Sequence, residues 1–430
     1  MQLKRVLIIT YYWVPLGGSG VQRWVKFSKY LPELGWQPVV YTPSNPDFPL
    51  KDDSLIKDIP AVCEVITQPI WEPYRLASIF SKNKNLNTGM LRSNKDGTWK
   101  DQLMNYVRSN YFIPDPRVFW VKKSIKYLTH YLQKNPVDAI VTNGPPHSMH
   151  LIGLGLKKKL GLKWLADFRD PWTSIDFYHT LALTKRSDAK HRRLEREVVS
   201  SADIVTVVSS YVKKEYDAYS DAVKVITNGF DSPNQKVEIP LDEKFSIAHI
   251  GLMNVDRNPQ VLWKAIKKIG DEHPDFKKDV EIKIIGNISE EGVNAIKENG
   301  LMDNLNLVGY LPHAEVYPHQ QAAQILLLAI NNTPTAEGII PGKIFEYLMS
   351  KRPILAIGPP SGALADILNQ TSGGSTFDFE DLEGLENYLL DAYAKYKKGK
   401  WQVNSKNIEQ YSRRNLTKKL VNHLEQMTKK

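Results

Sequence analysis

The sequence predicts an α/β protein made of two doubly wound domains with parallel sheets, and three observations predict it. The chain is 430 residues, long enough for two or three domains that each bury a core. Short Val- and Ile-rich apolar runs bounded by turn residues recur through the first half: KRVLIIT, QPVVYT, AVCEVIT, VDAIVTN, LKWLADF, DIVTVVS and VKVITN. They recur again as FSIAHIG, VEIKIIG, LNLVGY, QILLLAI, RPILAIG and STFDF in the second half. Most are continuous rather than alternating, as in strands covered on both faces, and helical patterns lie between them.

The amino terminus, MQLKRVLIITYYW, reads as the first strand; it lacks the small-residue cleavage site of a signal peptide. No apolar run approaches the roughly 18 residues of a membrane span. The single cysteine, Cys63, cannot form an internal disulfide, so a reducing cytoplasm is expected. The net charge of +10 is uneven: residues 1–235 carry 33 basic and 22 acidic side chains, and the last 25 residues carry seven and two. Such asymmetry suits an anionic surface, although solubility alone is the blander account.

After the first strand, PLGGSGVQRW places Gly17, Gly18 and Gly20 before a helix whose first N–H groups suit a phosphate. Arg23 stands where the dinucleotide fingerprint has its third glycine, and no acidic residue follows the second strand, which disfavours a nicotinamide enzyme. In RVFWVKKSIKYLTHYLQK, Val118, Val121, Ile125, Leu128 and Leu132 follow three-four spacing and predict one helix with an apolar stripe. Residues 81–116 form a long polar stretch of the kind that is functional or disordered. SPNQKVEIPLDEK reads as the linker, which gives domains at 1–235 and 236–404 and a basic carboxyl-terminal helix at 405–430. In parallel sheets ligands bind outside the carboxyl ends of the strands, so the expected site is the cleft between the domains.

GIIPGKIFEYLMSKRPILAI carries the richest signature of the second half. Pro341 and Gly342 open a helix whose first-turn N–H groups and Lys343 suit a diphosphate, and Glu346 sits one turn on, placed to accept from ribose hydroxyls. Simple helix capping is the plainer account of the Pro-Gly pair.

Taken in order, LGGSGVQRW, VVSSADIVTVVS, VITNGFD, HIGLMNVDRNP, IKIIGN, LNLVGYLP and PGKIFEYLMSKRPILAI resemble glycosyltransferase family 4, the retaining nucleotide-sugar transferases of the GT-B fold. DFRDPW with PPHS before it resembles a bacterial surface-polysaccharide subgroup. The resemblance implies two Rossmann-like domains facing across a cleft, with the carboxyl-terminal helix returning to the first. It also implies a nucleotide-sugar donor, with a UDP-sugar favoured, and a glycan or lipid-linked acceptor, handled in the cytoplasm at the inner face of the membrane. By the same resemblance Gly17 and Gly18 approach the donor phosphates or sugar, Glu346 binds the ribose, and Gly286, Asn287 and Tyr310 hold the base. His147 takes the place of the family's cleft histidine, with His150 second.

Two departures stand out. Where the family has Arg after the first strand of its second domain, this chain has Leu252, and Arg257 stands at the position of the family's Lys; Lys343 is then the compensating cation. Glu337 and Glu346, the counterparts of the family's paired glutamates, have eight residues between them rather than seven. Asp167, Arg169 and Asp170 end a predicted strand and are aimed at the cleft or the acceptor, with an internal salt-bridge network as the equal alternative. No strict Asp-x-Asp occurs, Asp378 and Glu380 in FDFED reading as a strand end, so no metal is expected. An epimerase or glycan phosphorylase of similar fold is the competing enzyme reading, and epimerisation lacks a convincing second acid-base group. A non-catalytic nucleotide-sugar scaffold is the competing binding module. The basic runs Lys157 to Lys159 and KHRRLER have no aromatics interleaved for nucleic acid.

Overall fold

A computed structural model describes residues 3–48, 50–72, 99–231, 239–399, 403 and 405–429. The first half of the long polar stretch, residues 81–98, and the first seven residues of the expected linker, 232–238, lie outside these residues. The chain forms two units, one reaching to Asn228 and resuming at Arg413, the other running from Gly229 to Ser412.

The first domain is built on β1 (Lys4–Ile9), β2 (Trp36–Pro43), β3 (Glu64–Gln68), β4 (Ala139–Gly144), β5 (Trp164–Phe168), β6 (Ile204–Val207) and β7 (Val223–Val225). They lie in the order β3-β2-β1-β4-β5-β6-β7 and pair in parallel throughout. The second uses β8 (Phe245–Ile250), β9 (Val280–Ile285), β10 (Leu305–Gly309), β11 (Ile325–Ala329), β12 (Ile354–Ile357) and β13 (Gly374–Phe377), in the order β10-β9-β8-β11-β12-β13. Each sheet therefore reverses its winding once, between β1 and β4 and between β8 and β11. At such a switch the flanking loops part and leave a crevice.

The central strands β1, β4, β5 and β6 are buried almost throughout because helices cover both faces, which explains their unbroken apolar runs. The Val118–Lys134 helix forms as its spacing predicts. Its buried side is rotated toward Trp120, which stacks on Tyr41 at 4.8 Å, so Trp120, Val121, Ser124, Leu128 and Leu132 are the buried positions.

The chain crosses between domains seven residues before the expected boundary, and the last helix begins at Arg413 rather than Ser405. Packing decides both. Phe230 is buried and its N–H donates to the Tyr411 carbonyl at 3.1 Å, while Tyr411 lies against Phe345, which ties residues 230 and 411 to the second domain. The Arg413–Thr428 helix then buries Leu416, Leu420, Val421, Leu424 and Met427 beside Trp24 and Trp36 of the first domain. Glu425 anchors it by pairing with Lys4 and accepting from the Trp36 indole at 2.9 Å.

Within the first domain, Arg23 and Asp167 form a salt bridge in which both side chains are 1% exposed. The guanidinium donates to both carboxylate oxygens at 2.8 and 2.9 Å and to the carbonyls of Ile226 and Thr227 at 2.9 Å. The carboxylate also accepts from Trp24 at 2.8 Å and Thr206 at 2.7 Å. Burial alone would raise the Asp167 pKa, but Arg23 and the Thr206 and Trp24 hydrogen bonds outweigh it and hold the carboxyl below its usual range. Removing one member orphans a buried charge, so Arg23→Ala and Asp167→Asn should each lower unfolding free energy by about 3–5 kcal/mol in urea titrations. The double variant Arg23→Met with Asp167→Leu should lose less than the two single losses together. Because the native pKa is depressed, the contribution of Asp167 is present above its unfolded pKa and lost as pH falls through the native one.

Candidate functional site

In the second domain the carboxyl ends of β8 and β9 close on glycines that no other residue replaces. Gly251 has φ +104° and Gly286 φ +120°, and a Cβ on Gly286 would lie 2.6 Å from the Gly251 carbonyl oxygen. A Cβ on Gly251 would collide with the Lys343 ammonium, so the strand end leaves room for that cation and nothing more. Lys343 begins the Lys343–Ser350 helix behind Pro341 and Gly342, with no side chain capping the first turn. Its ammonium therefore sits at the β8 end of the β8/β11 crevice, carried by the first residue of the helix.

Three charged groups surround this point. Burial, reinforced by Arg257 and opposed by Glu346, pulls the Lys343 pKa down to about 8. Arg257, on the Val255–Arg257 turn, reaches back to the Leu252 carbonyl at 3.3 Å, which brings a guanidinium beside the position where the family pattern has arginine. Glu346 is half-buried one turn along the helix, where Gln320 donates to it at 3.3 Å. His249, on β8, is 1% exposed; burial first, then Lys343 and Arg257, push its pKa to about 3 and keep the ring neutral. His249 and Gln320 escaped sequence reasoning. A histidine inside an otherwise apolar strand was the available signal for the first, and nothing marked the second.

Glu337 lies exposed on the Ala336–Gly338 turn, where Ser361 donates to it at 3.4 Å, in the loop that follows β11. Earlier in that loop Asn331 is buried, and the hydroxyl oxygens of Thr333 and Thr335 are buried without a hydrogen-bond partner among the described residues. The Asn332 amide donates to the Asp256 carbonyl at 3.0 Å, which joins this loop to the Arg257 turn across the switch point. Asn287 is exposed at the end of β9, its carbonyl accepting from Met253, and Tyr310 is 76% exposed just past β10.

In the first domain the residues around the β1/β4 switch divide into inward and outward groups. Asp167 is corrected to a structural role: its four donors leave no capacity for a ligand, the outcome expected of an internal network. Arg169 and Asp170 pair at 2.9 Å, Arg169 largely buried at 12% exposure and Asp170 41% exposed. The Arg169 guanidinium lies over Tyr12, with Nη1 against Gly20 in the first turn of the Ser19–Tyr30 helix. A cation beside a helix N-terminus is a combination that favours an anion.

Gly17 is also corrected in part. Its N–H is held by the Leu50 carbonyl at 2.9 Å and a Cβ would strike Leu50, so close packing requires this glycine, while Gly18 caps the helix. His147 is 8% exposed and stacks on Trp172 at 4.8 Å; burial, with His150, His191 and Arg169 near, holds it neutral. His150 is a core residue, hydrogen-bonded to Thr142 at 2.8 Å and stacked on Phe168. Trp172 is fixed by His191 at 3.0 Å, and Thr173 by two bonds to Glu195, so the KHRRLER run turns its His and a Glu inward to hold DFRDPW in place.

Two sheets of this order, each with charged and glycine-lined loops at its switch point, define a two-domain Rossmann-like protein with a phosphate-suited site in the second domain. Solved GT-B structures share the fold: a glycosyltransferase of Rickettsia africae ESF-5 aligns over 100% of both chains with TM-score 0.59 and 15% identity. HepE of Anabaena, solved with UDP and glucose, aligns over 98% of this chain and 99% of its own with TM-score 0.57 and 14% identity. The model for Glycosyltransferase Family 4 matches residues 18–232, half of the chain, and the chain belongs to that family. A D-inositol 3-phosphate glycosyltransferase of Corynebacterium glutamicum (strain R) is 28% identical over 199 residues. That alignment takes in 38% of this chain and 46% of the relative, so the two correspond over less than half of either length.

With its pKa drawn down to about 8, the Lys343 ammonium loses its charge progressively as pH rises through this range. Binding of inorganic pyrophosphate, measured by calorimetry between pH 7 and 9.5, should therefore weaken with rising pH more steeply in the parent than in Lys343→Met, which keeps only the dependence due to the ligand's own titration.

Proposed function

We propose that the protein is a retaining glycosyltransferase that moves a sugar from a nucleoside diphosphate, a UDP-sugar being favoured, to a glycan or lipid-linked acceptor in cell-surface polysaccharide synthesis. The observation that carries the donor half is the Lys343 ammonium seated against Gly251 at the opening of a helix, with Arg257 beside it and Glu346 one turn on. Two cations and a helix N-terminus suit a diphosphate, and a half-buried carboxylate held by Gln320 suits ribose hydroxyls. Family membership, and a neighbour of the same fold solved with UDP and glucose, support the same reading.

In this mechanism the bond between the sugar's anomeric carbon and the phosphate oxygen breaks while the acceptor hydroxyl bonds to the same face of the sugar. The hydroxyl proton passes to the departing phosphate oxygen. Lys343, Arg257 and the helix amides stabilise the charge that develops on the leaving diphosphate, a role for which the protein needs no metal and no general base. Glu337 and the threonine-rich loop after β11 hold the sugar, Asn287 and Tyr310 hold the base, and within the first domain Gly18, His147, Arg169 and Asp170 are the residues assigned to the acceptor. The lipid-linked form of the acceptor puts the enzyme at the inner face of the membrane.

Calorimetry with nucleoside diphosphates and turnover with a panel of nucleotide sugars test this. Arg257→Ala and Lys343→Ala should each weaken diphosphate binding about tenfold to a hundredfold, the worth of a charge-assisted hydrogen bond. Unchanged affinity in both would remove the donor site. Glu346→Ala should weaken nucleotide binding and transfer together, whereas Glu337→Ala should lower turnover and leave diphosphate affinity nearly intact. Turnover should persist in EDTA; activity lost there and restored by Mn²⁺ would overturn the metal-free step.

A further inference from the structure

The Val118–Lys134 helix has 17 residues and no Asp or Glu among them. Its exposed residues include Phe119, Lys122, Lys123, Lys126 and Tyr127, spaced three and four apart on one side, opposite the buried Trp120, Val121 and Leu128. Trp71, 49% exposed, meets the 44% exposed Phe119 edge-on at 5.0 Å and extends the aromatic part of this face. None of the three lysines joins an ion pair among the described residues, while in the same domain Lys157 and Lys158 are neutralised by Asp203 and Glu197. An unneutralised basic row flanked by exposed aromatic rings is the composition of an interfacial helix, whose rings enter the headgroup layer while ammonium groups meet lipid phosphates.

We propose that this face docks the first domain on an anionic lipid bilayer. The proposal assigns a surface to the membrane contact in the function proposed above and rests on that reading. Nucleic acid fits the rings less well. Phe119 meets Trp71 edge-on and Tyr127 lies within about 6.5 Å of Tyr41 and Tyr131, so the rings pack into one another rather than standing apart as separate platforms for successive bases.

Flotation of the full chain with phosphatidylglycerol or phosphatidylcholine vesicles tests the assignment. The protein should float with the anionic vesicles at low salt, less so at high salt, and not with phosphatidylcholine. Each basic group near such a surface is worth about fivefold in partitioning, so Lys122→Gln, Lys123→Gln and Lys126→Gln together should lower it about a hundredfold. Trp71→Ser with Phe119→Ser should also lower it, and both variants should keep the parent's thermal melt, since all five residues are on the surface. Lys418→Gln with Lys419→Gln, exposed on the last helix, should change partitioning much less. If the parent floats and the lysine variant floats equally, or the last-helix variant loses flotation instead, the surface is elsewhere and only this assignment falls. If the parent never floats, the membrane contact falls with it, while nucleotide binding still tests the transferase. Retention of labelled RNA that the lysine variant loses, with flotation unchanged, would reassign the face to nucleic acid.

Discussion

The buried pair of Arg23 and Asp167 is the constraint on which the first domain depends. Arg23 comes from the helix after β1, Asp167 from β5, and the carbonyls that Arg23 binds come from the segment leaving β7. One guanidinium thus fastens the opening helix to the sheet and to the point where the chain departs for the second domain. Two charges so far from water are tolerable only because every oxygen of Asp167 and most of the Arg23 fork are hydrogen-bonded. The consequence for the site is indirect and large. With Asp167 fixed inward, Arg169 two residues on comes to rest at the start of the same helix that Arg23 anchors.

The second domain solves a different problem with less charge. Its strand ends must admit a cation from a neighbouring helix, and two left-handed glycines make the space. Gly286 touches the Gly251 backbone, and Gly251 touches Lys343, so the position of the ammonium is set by contact rather than by an ion pair. Burial in that space, with Arg257 near, destabilises Lys343 as a cation, and a destabilised cation gains most from an incoming anion. Sequence placed Pro341, Gly342, Lys343 and Glu346 on one helix. The contact with β8 and the neutral His249 beneath it came from the sheet order alone.

Among the described residues thirteen strands sit where the apolar runs place them, and the central ones are apolar from end to end because they are buried on both faces. The same logic failed at boundaries. SPNQKVEIPLDEK is polar and proline-bearing, yet the crossing occurs earlier, where Phe230 finds its partner in Tyr411, a residue almost two hundred positions away. Composition carries no record of such pairing. It likewise could not divide Asp167 from Asp170, which occupy one motif and have opposite exposures, or identify His150 as a core residue and His147 as the more superficial of the two.

What the sequence by itself determined is the strand and helix inventory, the duplicated architecture, and the family, since periodicity and ordered motifs are local properties that survive without any knowledge of contacts. What only the tertiary structure decided is which polar residues are structural. The Arg23, Asp167 and Glu195 side chains are as polar as Arg169 or Glu346, and they differ only in whether distant segments supply enough donors and acceptors to satisfy them. A hydrogen-bond requirement is written in the residue, but its satisfaction depends on neighbours that folding brings from elsewhere in the chain.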